Sequence, residues 1–198
     1  ELKPDFFQAH LRLGRVLMEL KKLEEARGFI CNALKLNPNM FNAHFLLSTI
    51  LSDQKKFPEA ETALRKTIEL KPDFFQAHYM LSLVLKTMGK LNDAEKFIRK
   101  AIKINPNNAN SYHYLGIILK EQGQLDEAEK SWIKALEIDQ TREETIFYIG
   151  ERLFKIKSYS RALNYLEEAK SNRNQVLALG CFLGLDKEIE FHKRLENL

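Results

Sequence analysis

The chain has 198 residues, of which 44% are hydrophobic and 29% are charged, and its net charge at pH 7 is +4. These values are typical of a folded globular protein and exclude a disordered or collagen-like chain. Eight glycines and five prolines are too few for a loop-rich all-β protein. The longest apolar run, from Val176 to Leu185, is too short for a membrane span. We therefore expect a helical protein that does not insert into a membrane.

The two cysteines, Cys31 and Cys181, lie far apart, and neither has a second cysteine or a histidine at metal-ligand spacing. This arrangement favours reduced, buried thiols over a disulfide framework or a zinc site. We therefore expect a cytoplasmic protein.

The sequence repeats with a period of 34 residues. The decapeptide Glu1–His10 recurs unchanged at Glu69–His78, which is two periods later. Four further positions follow the same period: a small residue at Gly14, Ser48, Ser82, Gly116 and Gly150; a leucine at Leu17, Leu51, Leu85, Leu119 and Leu153; an alanine at Ala26, Ala60, Ala94, Ala128 and Ala162; and a proline at Pro4, Pro38, Pro72 and Pro106. A fixed period of this length indicates a repeated supersecondary unit.

Taken in chain order, the period divides the sequence into five repeats. We predict the tail of a preceding repeat at residues 1–6, repeat 1 at 7–40, repeat 2 at 41–74, repeat 3 at 75–108, repeat 4 at 109–142, a degenerate repeat 5 at 143–176, and C-terminal capping helices at 177–198. Gln140 and Asn174 stand where the first repeats have proline, which indicates that the array is ending. The tail at the start predicts a fragment of a longer array.

Each repeat reads as two amphipathic helices. In repeat 3, Leu81, Val84 and Leu85 follow helical spacing, Gly89 interrupts the run, and a second apolar run begins at Leu91. Asp73 and Asn92 each precede a glutamine or glutamate by three residues, which predicts a capping box at each helix start. Pro72 and Pro106 predict the ends of the second helices.

A 34-residue helix-turn-helix with a small residue, an alanine and a proline at these offsets resembles the tetratricopeptide repeat family, and the resemblance covers residues 7–176. It implies an all-α fold, a right-handed α-solenoid in which the first helices line a concave groove. It also implies that partner-binding side chains come from the second, fifth, sixth, ninth, twelfth and thirteenth positions of each repeat.

Those positions hold amides at one edge of the groove and mainly apolar or aromatic residues along its centre. The expected partner-binding residues are Gln8, Leu11, Arg12 and Arg15; Asn42, Phe45 and Leu46; Gln76, Tyr79, Met80 and Leu83; Asn110, His113, Tyr114 and Ile117; and Phe147, Tyr148, Glu151 and Phe154. Aromatic and methionine side chains are enriched at protein interfaces. The groove is therefore expected to bind a partner helix or peptide.

Other features of the repeats favour packing over chemistry. His10, His44 and His78 lie on the period, and helix packing separates equivalent side chains by about 8–10 Å, too far to share one metal ion. Trp132 lies in phase with apolar residues of the second helices, which predicts a core position. Gly180 and Gly184 form a GxxxG spacing, which outside a membrane indicates close packing or a helix end.

The sequence contains no glycine-rich phosphate loop, nucleophile elbow or zinc motif, so we expect no catalytic residue, cofactor or metal. The net charge varies from repeat to repeat and forms no continuous basic stripe, which argues against nucleic-acid binding. We therefore predict a protein-interaction scaffold. Two alternatives stay open: the recruiting arm of a larger, transferase-like enzyme, and a scaffold that self-assembles through its groove or its uncapped N-terminal edge.

Overall fold

The computed structural model describes residues 6–167 and 169–196, and within these ranges the chain forms eleven α-helices and no β-strand. The predicted all-α fold is therefore confirmed. The predicted tail of a preceding repeat lies outside the described residues except for Phe6, where the first helix begins. The helices form two compact units, Glu1–Pro106 and Asn107–Leu198.

The first unit contains three helical hairpins. Its helices are α1 (Phe6–Glu19), α2 (Leu23–Leu36), α3 (Phe41–Asp53), α4 (Phe57–Leu70), α5 (Phe75–Thr87) and α6 (Leu91–Ile104). The two helices of each hairpin pack on each other, α2 also packs on α3, and α4 packs on α5. Each hairpin thus buries its apolar face against the next one, as a helical repeat requires.

The second unit begins with the same hairpin and then departs from the pattern. Its helices are α7 (Ala109–Glu121), α8 (Leu125–Ile138), α9 (Glu143–Lys155), α10 (Tyr159–Leu166) and α11 (Asn172–Glu196). Helix α10 has eight residues where the other second helices have fourteen. Helix α11 packs on α9 and α10 and is a single helix that begins at Asn172, so the expected boundary between residues 176 and 177 falls inside it.

The turn inside every hairpin places one residue in the left-handed backbone region. Lys21, Lys55, Gly89, Gly123 and Lys157, spaced by 34 residues, have φ angles between 57° and 81°. In repeat 3 the Lys90 amide donates to the Leu85 carbonyl, and the Gly89 amide donates to the Lys86 carbonyl, as in a Schellman C-cap. Three of the five turns therefore place a lysine where glycine is the favoured residue.

Lys55→Gly is expected to stabilise the first unit by up to about 1 kcal/mol, because glycine adopts a positive φ without a Cβ penalty. Gly89→Ala, at the same turn position and with open space around a Cβ, is expected to destabilise it by a similar amount. Urea denaturation followed by circular dichroism measures both changes. A shift in the same direction for both variants would contradict this account of the turn.

Two of the predicted helix starts need correction. Helix α5 begins after Phe74 and helix α6 after Lys90, and no side chain caps either start, so the capping boxes expected at Asp73 and Asn92 are wrong. A side-chain cap does form at α7, where Asn108 Oδ1 accepts from the Ser111 amide at 2.9 Å. At each second helix, the backbone carbonyl of the residue before the helix accepts a hydrogen bond from the first turn instead. In repeat 3 the Ala94 amide donates to the Lys90 carbonyl.

The small residue of each first helix packs against the second helix of the same repeat. A Cβ on Gly14 would contact Ile30, one on Gly150 would contact Leu166, and one on Gly116 would overlap the indole of Trp132. The Trp132 side chain is 1% exposed, which confirms its predicted core position. Close approach of the two helices in these repeats thus depends on the absence of a side chain at this position.

A carboxylate holds the start of α11 against α9. Glu143 accepts hydrogen bonds from the Lys170 amide at 2.7 Å, the Ser171 amide at 3.3 Å and the Asn174 side-chain amide at 2.6 Å. The Lys170 amide is the main cause that holds the pKa of Glu143 below its ordinary value. Asn174, which replaces the proline of the first three repeats, is fully buried and makes this contact. The early start of α11 therefore has a specific cause.

Candidate partner-binding surfaces

In the first unit, most of the predicted partner-binding residues are accessible on α1, α3 and α5. Gln8, Arg12, Arg15, Asn42 and Gln76 are exposed, and Phe45, Leu46, Tyr79, Met80 and Leu83 are half-buried. Leu11 is the exception, because it belongs to the buried core with Ala26 and Ile30. This burial corrects the expectation that Leu11 is available to a partner.

Phe45 belongs to an aromatic cluster that the repeat positions did not indicate. Its ring meets Phe74 edge-on at a centroid distance of 5.1 Å, and Phe41 meets Phe74 in the same way at 5.3 Å. The Lys71 ammonium lies 4.8 Å from the Phe41 ring centre. Such contacts fix the ring orientations and leave one part of Phe45 accessible.

In the second unit the structure removes His113 from the accessible surface. Its side chain is 2% exposed, and its Nδ1 lies 2.8 Å from the Thr145 hydroxyl. Asn110 stays exposed, and Tyr114 and Ile117 are half-buried. His113 is therefore a packing residue at a position where the resemblance implied contact with a partner.

The burial of His113 also sets its charge. Its pKa is lowered to about 4, mainly by loss of hydration and in addition by the nearby Arg142, whereas Glu144, at 3.6 Å, acts in the opposite direction. The Glu144 side chain is 69% exposed, so water screens its attraction for an imidazolium. His113 is consequently neutral at pH 7, and its contact with Glu144 is not an ion pair there.

Tyr148 is held between a core residue and a lysine. Its ring stacks on Trp132 with a centroid distance of 5.1 Å and an interplanar angle of 12°, and the Lys120 ammonium lies 4.7 Å from its centre. Glu151 accepts from Lys120 at 2.8 Å and from Lys155 at 3.1 Å. Partial burial acts to raise the pKa of Glu151, but these hydrogen bonds bring it below its ordinary value. Tyr148 and Glu151 are therefore already engaged within the unit.

One concave surface of the second unit lies between α9 and α11, and we call it the α9/α11 groove. It has a volume of about 500 Å³ and is lined by Phe147, Phe154, Asn172, Arg173, Val176, Leu177 and Gly180. Phe147 and Phe154 are predicted partner-binding residues at the fifth and twelfth positions of repeat 5. The groove brings these two side chains together with the first turns of α11.

Glycines allow α11 to approach the aromatic residues of repeat 5. A Cβ on Gly180 would lie 3.3 Å from the Phe154 ring, and one on Gly184 would lie 2.6 Å from the Tyr159 ring. Phe154 and Tyr159 also contact each other edge-on at 5.6 Å. The predicted close packing at the GxxxG spacing is thus confirmed, and it forms the wall of the α9/α11 groove.

Sequence reasoning missed the contribution of α11 to this groove. Val176 and Leu179 remain 68% and 63% exposed, and Leu183 is similarly exposed on the next turn. The Arg173 guanidinium carbon lies 3.3 Å from the centre of the Phe147 ring. The sequence signal for this surface was the apolar run that begins at Val176. The predicted partner-binding residues did not include it, because they were taken from the first helix of each repeat.

The periodic histidines serve packing, as predicted. His44 and His78 each place Nε2 2.8 Å from the carbonyl of the proline that precedes their helix, Pro38 and Pro72. The His10 ring packs between Phe6 and Phe29 at centroid distances of 5.5 and 5.6 Å. In the described residues, no three histidine, cysteine or acidic side chains form a group that could hold a metal ion.

The first helix exposes an apolar face. Phe6, Leu13 and Val16 are exposed on α1, and Leu20 is exposed directly after it. The counterparts of Val16 one and two periods later, Ile50 and Val84, are buried. Self-association through this edge or through the groove stays a prediction.

A second cavity of the Asn107–Leu198 unit has a volume of about 800 Å³ and lies beside the end of the short helix α10. Apolar residues of α8, α9 and α10 line part of it, among them Ile133, Leu136, Ile146 and Tyr165. None of the predicted partner-binding residues lies there.

Among the helices of the described ranges, none is long and apolar enough to cross a membrane.

Repeated helical hairpins with small residues between their helices define an α-helical repeat protein. Sequence models of the tetratricopeptide repeat match at residues 7–40, 41–74 and 75–108, and a second such model matches at residues 97–130. The chain therefore belongs to the tetratricopeptide repeat family.

Solved structures agree with this family. MamA from Desulfovibrio magneticus RS-1, residues 41 to the end, is 18% identical to this chain. The match covers 83% of this chain and 93% of the MamA chain, with a TM-score of 0.77. PilF from Pseudomonas aeruginosa is 16% identical, with coverages of 98% and 91% and a TM-score of 0.78. YrrB, a TPR protein with an unusual peptide-binding site, is 20% identical, with both coverages at 90% and a TM-score of 0.71. At these identities the similarity shows the shared fold. No curated protein sequence matches the chain.

Proposed function

We propose that this chain is a non-catalytic, cytoplasmic scaffold that binds a protein partner, as a helix or an extended peptide, along the first helices of its repeats. The observation that carries the proposal is the α9/α11 groove, where Phe147 and Phe154 lie beside the exposed side chain of Val176. A contiguous exposed apolar patch marks an interaction site, whereas single exposed apolar residues are common on protein surfaces. The described peptide-binding site of YrrB supports the same class of partner.

The surfaces of the two units differ in chemistry. In the first unit, Arg12, Arg15 and the amides Gln8, Asn42 and Gln76 are exposed on the first helices, two of which also carry the half-buried aromatics Phe45 and Tyr79. Amide side chains along one edge can hydrogen-bond the backbone of an extended peptide. We propose that the first unit by itself offers such polar contacts to a peptide and that the second unit by itself offers an apolar anchor, because binding energy concentrates in a few buried residues.

Replacing Phe147 and Phe154 by alanine is expected to abolish capture of the partner, since truncation of buried anchor residues typically costs about 2 kcal/mol or more each. The measurement is affinity capture from a lysate with mass-spectrometric identification. The same experiment with Phe45→Ala and Tyr79→Ala tests the contribution of the first unit. Circular dichroism checks that each variant stays helical.

The matched control is Leu125→Ala, which removes a partly exposed apolar side chain from the second helix of repeat 4. Proteins captured by the native chain and by this control, but lost with the Phe147 and Phe154 variant, would support a groove-binding scaffold. Identical captures with all variants would exclude the groove and move the function to another surface.

A further inference from the structure

The α9/α11 groove is lined by one charged residue, Arg173. Arg173 stacks its guanidinium on Phe147 and, in the part of the chain that the structure describes, makes no ion pair with a carboxylate. The remaining walls of the groove are the apolar residues Phe147, Phe154, Val176 and Leu177, with Gly180 and the amide of Asn172. The groove therefore combines an apolar floor with a single cation.

None of the three carboxylates of α9 forms an ion pair with Arg173. Glu143 accepts the amides at the start of α11 and the side chain of Asn174. Glu151 is bound by Lys120 and Lys155. Glu144 lies beside the neutral His113 and is otherwise exposed to water. Among the described residues Arg173 therefore has no carboxylate partner, and its N–H donors can bind a carboxylate that comes from outside the chain.

The stacked position of Arg173 suits this role. A guanidinium that lies on an aromatic ring uses its face, and its N–H donors at the edge of the plane stay available for a bidentate contact with a carboxylate. The ring also fixes the orientation of the side chain, which reduces the entropy lost on binding. A bound peptide that covers the neighbouring apolar side chains would remove water from the contact and strengthen it.

We propose that the α9/α11 groove selects a peptide segment in which an acidic residue lies beside aliphatic or aromatic anchors, and that Arg173 is the residue that reads the acid. This inference rests on the proposed function and specifies the partner of the same site. The acid binds the Arg173 guanidinium while the anchors pack against Phe154, Val176 and Leu177. A segment with lysine or arginine in place of the acid is rejected by repulsion from Arg173.

The dimensions of the groove limit the segment. Phe147 and Phe154 are seven residues apart on α9, a separation of about 10 Å along the helix. An extended peptide spans this distance in about three residues, and a helix spans it in about seven. The acid and its principal anchor are therefore expected within three residues of each other in an extended segment.

Selection from a phage-displayed library of random dodecapeptides tests the proposal on the full chain. The native chain is expected to enrich peptides with Asp or Glu next to Leu, Ile, Phe or Trp. Arg173→Glu is expected to lose this enrichment. Lys130→Glu, which changes the net charge equally on the exposed face of α8, is the matched control and is expected to keep it.

Fluorescence anisotropy with a synthetic peptide from the enriched set supplies the magnitude. Replacing its acidic residue by the corresponding amide is expected to weaken binding to the native chain about tenfold or more, because a charge-assisted hydrogen bond is lost. The same peptide change is expected to have little effect with Arg173→Gln. This non-additivity would show that the two groups contact each other.

The outcomes separate the two proposals. Enriched apolar peptides that lack an acid and bind Arg173→Glu as well as the native chain would overturn the role of Arg173 and leave the groove function standing. If no peptide is enriched, or if enriched peptides also bind Val176→Asp with unchanged affinity, the groove function itself fails. Val176 is largely exposed, so this variant is expected to fold normally. Self-association of the chain, detected by light scattering and abolished by Val176→Asp, would assign the groove to a second copy and also overturn the proposal.

Discussion

Gly116→Ala is expected to destabilise the second unit by about 1–3 kcal/mol, the usual cost of overpacking a tight core. The added Cβ would overlap the Trp132 indole, approaching Cδ1 to 2.5 Å and Cε2 to 2.7 Å. The indole cannot withdraw, because Tyr148 stacks on its face and its Nε1 donates to the His113 carbonyl at 3.2 Å. Urea denaturation followed by circular dichroism measures the loss.

Gly28→Ala is the matched control. Gly28 lies within α2, and no atom lies within 4 Å of a Cβ built there. Alanine has the higher helix propensity, so this variant is expected to stabilise the chain by about 0.5–1 kcal/mol. Opposite signs for the two substitutions would separate crowding from backbone preference. A Gly116→Ala variant as stable as the native chain would contradict the packing account.

A second substitution is expected to relieve the clash. Ser48 and Ser82 occupy the position of Gly116 in repeats 2 and 3, where the second helices carry Leu64 and Ile98 instead of tryptophan. Trp132→Leu removes the indole and makes room for a Cβ at residue 116. Adding Gly116→Ala to Trp132→Leu is therefore expected to cost much less than adding it to the native chain, a coupling that a double-mutant cycle measures.

The period predicted the hairpins and their cores because each repeat supplies independent evidence for the same positions. The fully buried residues Ala26, Ala60, Ala94, Ala128 and Ala162 all lie at a position that the sequence singles out by recurrence alone. Local backbone requirements were less visible. Lysine carries no preference for a positive φ, so the only signal for it at Lys21, Lys55 and Lys157 is that these residues lie in phase with Gly89 and Gly123.

The candidate site could be predicted only in part, because a repeat position defines a direction on a helix and not the neighbours that a side chain meets. Tyr148 occupies a position implied to contact partners, but the large Trp132 side chain of the preceding helix, α8, provides a ring on which it stacks. His113 is withdrawn in a similar way by Thr145 of the following repeat. Both contacts depend on the particular residues of repeats 4 and 5.

The end of the array was the least predictable part. The sequence shows Asn174 at the position where the first three repeats have proline. Its structural role is to donate a hydrogen bond to Glu143, which lies 31 residues earlier. This bond joins the start of α11 to α9 and creates the groove wall that carries Arg173 and Val176. A pattern based on one repeat does not contain a contact that occurs only once in the chain.

The free energy of unfolding is expected to fall by about 2 kcal/mol between pH 8 and pH 5, because His113 must take up a proton in a buried site. Its pKa is about 4 in the folded chain and 6.5 when unfolded, and burial is the main cause of the difference. The unfolded chain therefore binds more protons across this range. The stability is fully present above pH 6.5 and is lost as the pH falls towards 4, where the loss reaches about 3 kcal/mol.

His113→Asn is the control for this pH dependence, because asparagine can hydrogen-bond Thr145 and does not titrate. Denaturation midpoints measured from pH 8 to pH 5 are expected to change much less for this variant, even though its stability at pH 8 is lower. The range ends at pH 5 because Glu143 and Glu151, whose pKa values are lowered in the folded chain, add their own loss of stability below it. An equal slope for the native chain and His113→Asn would show that the histidine is solvated and that the contact with Thr145 does not hold it neutral.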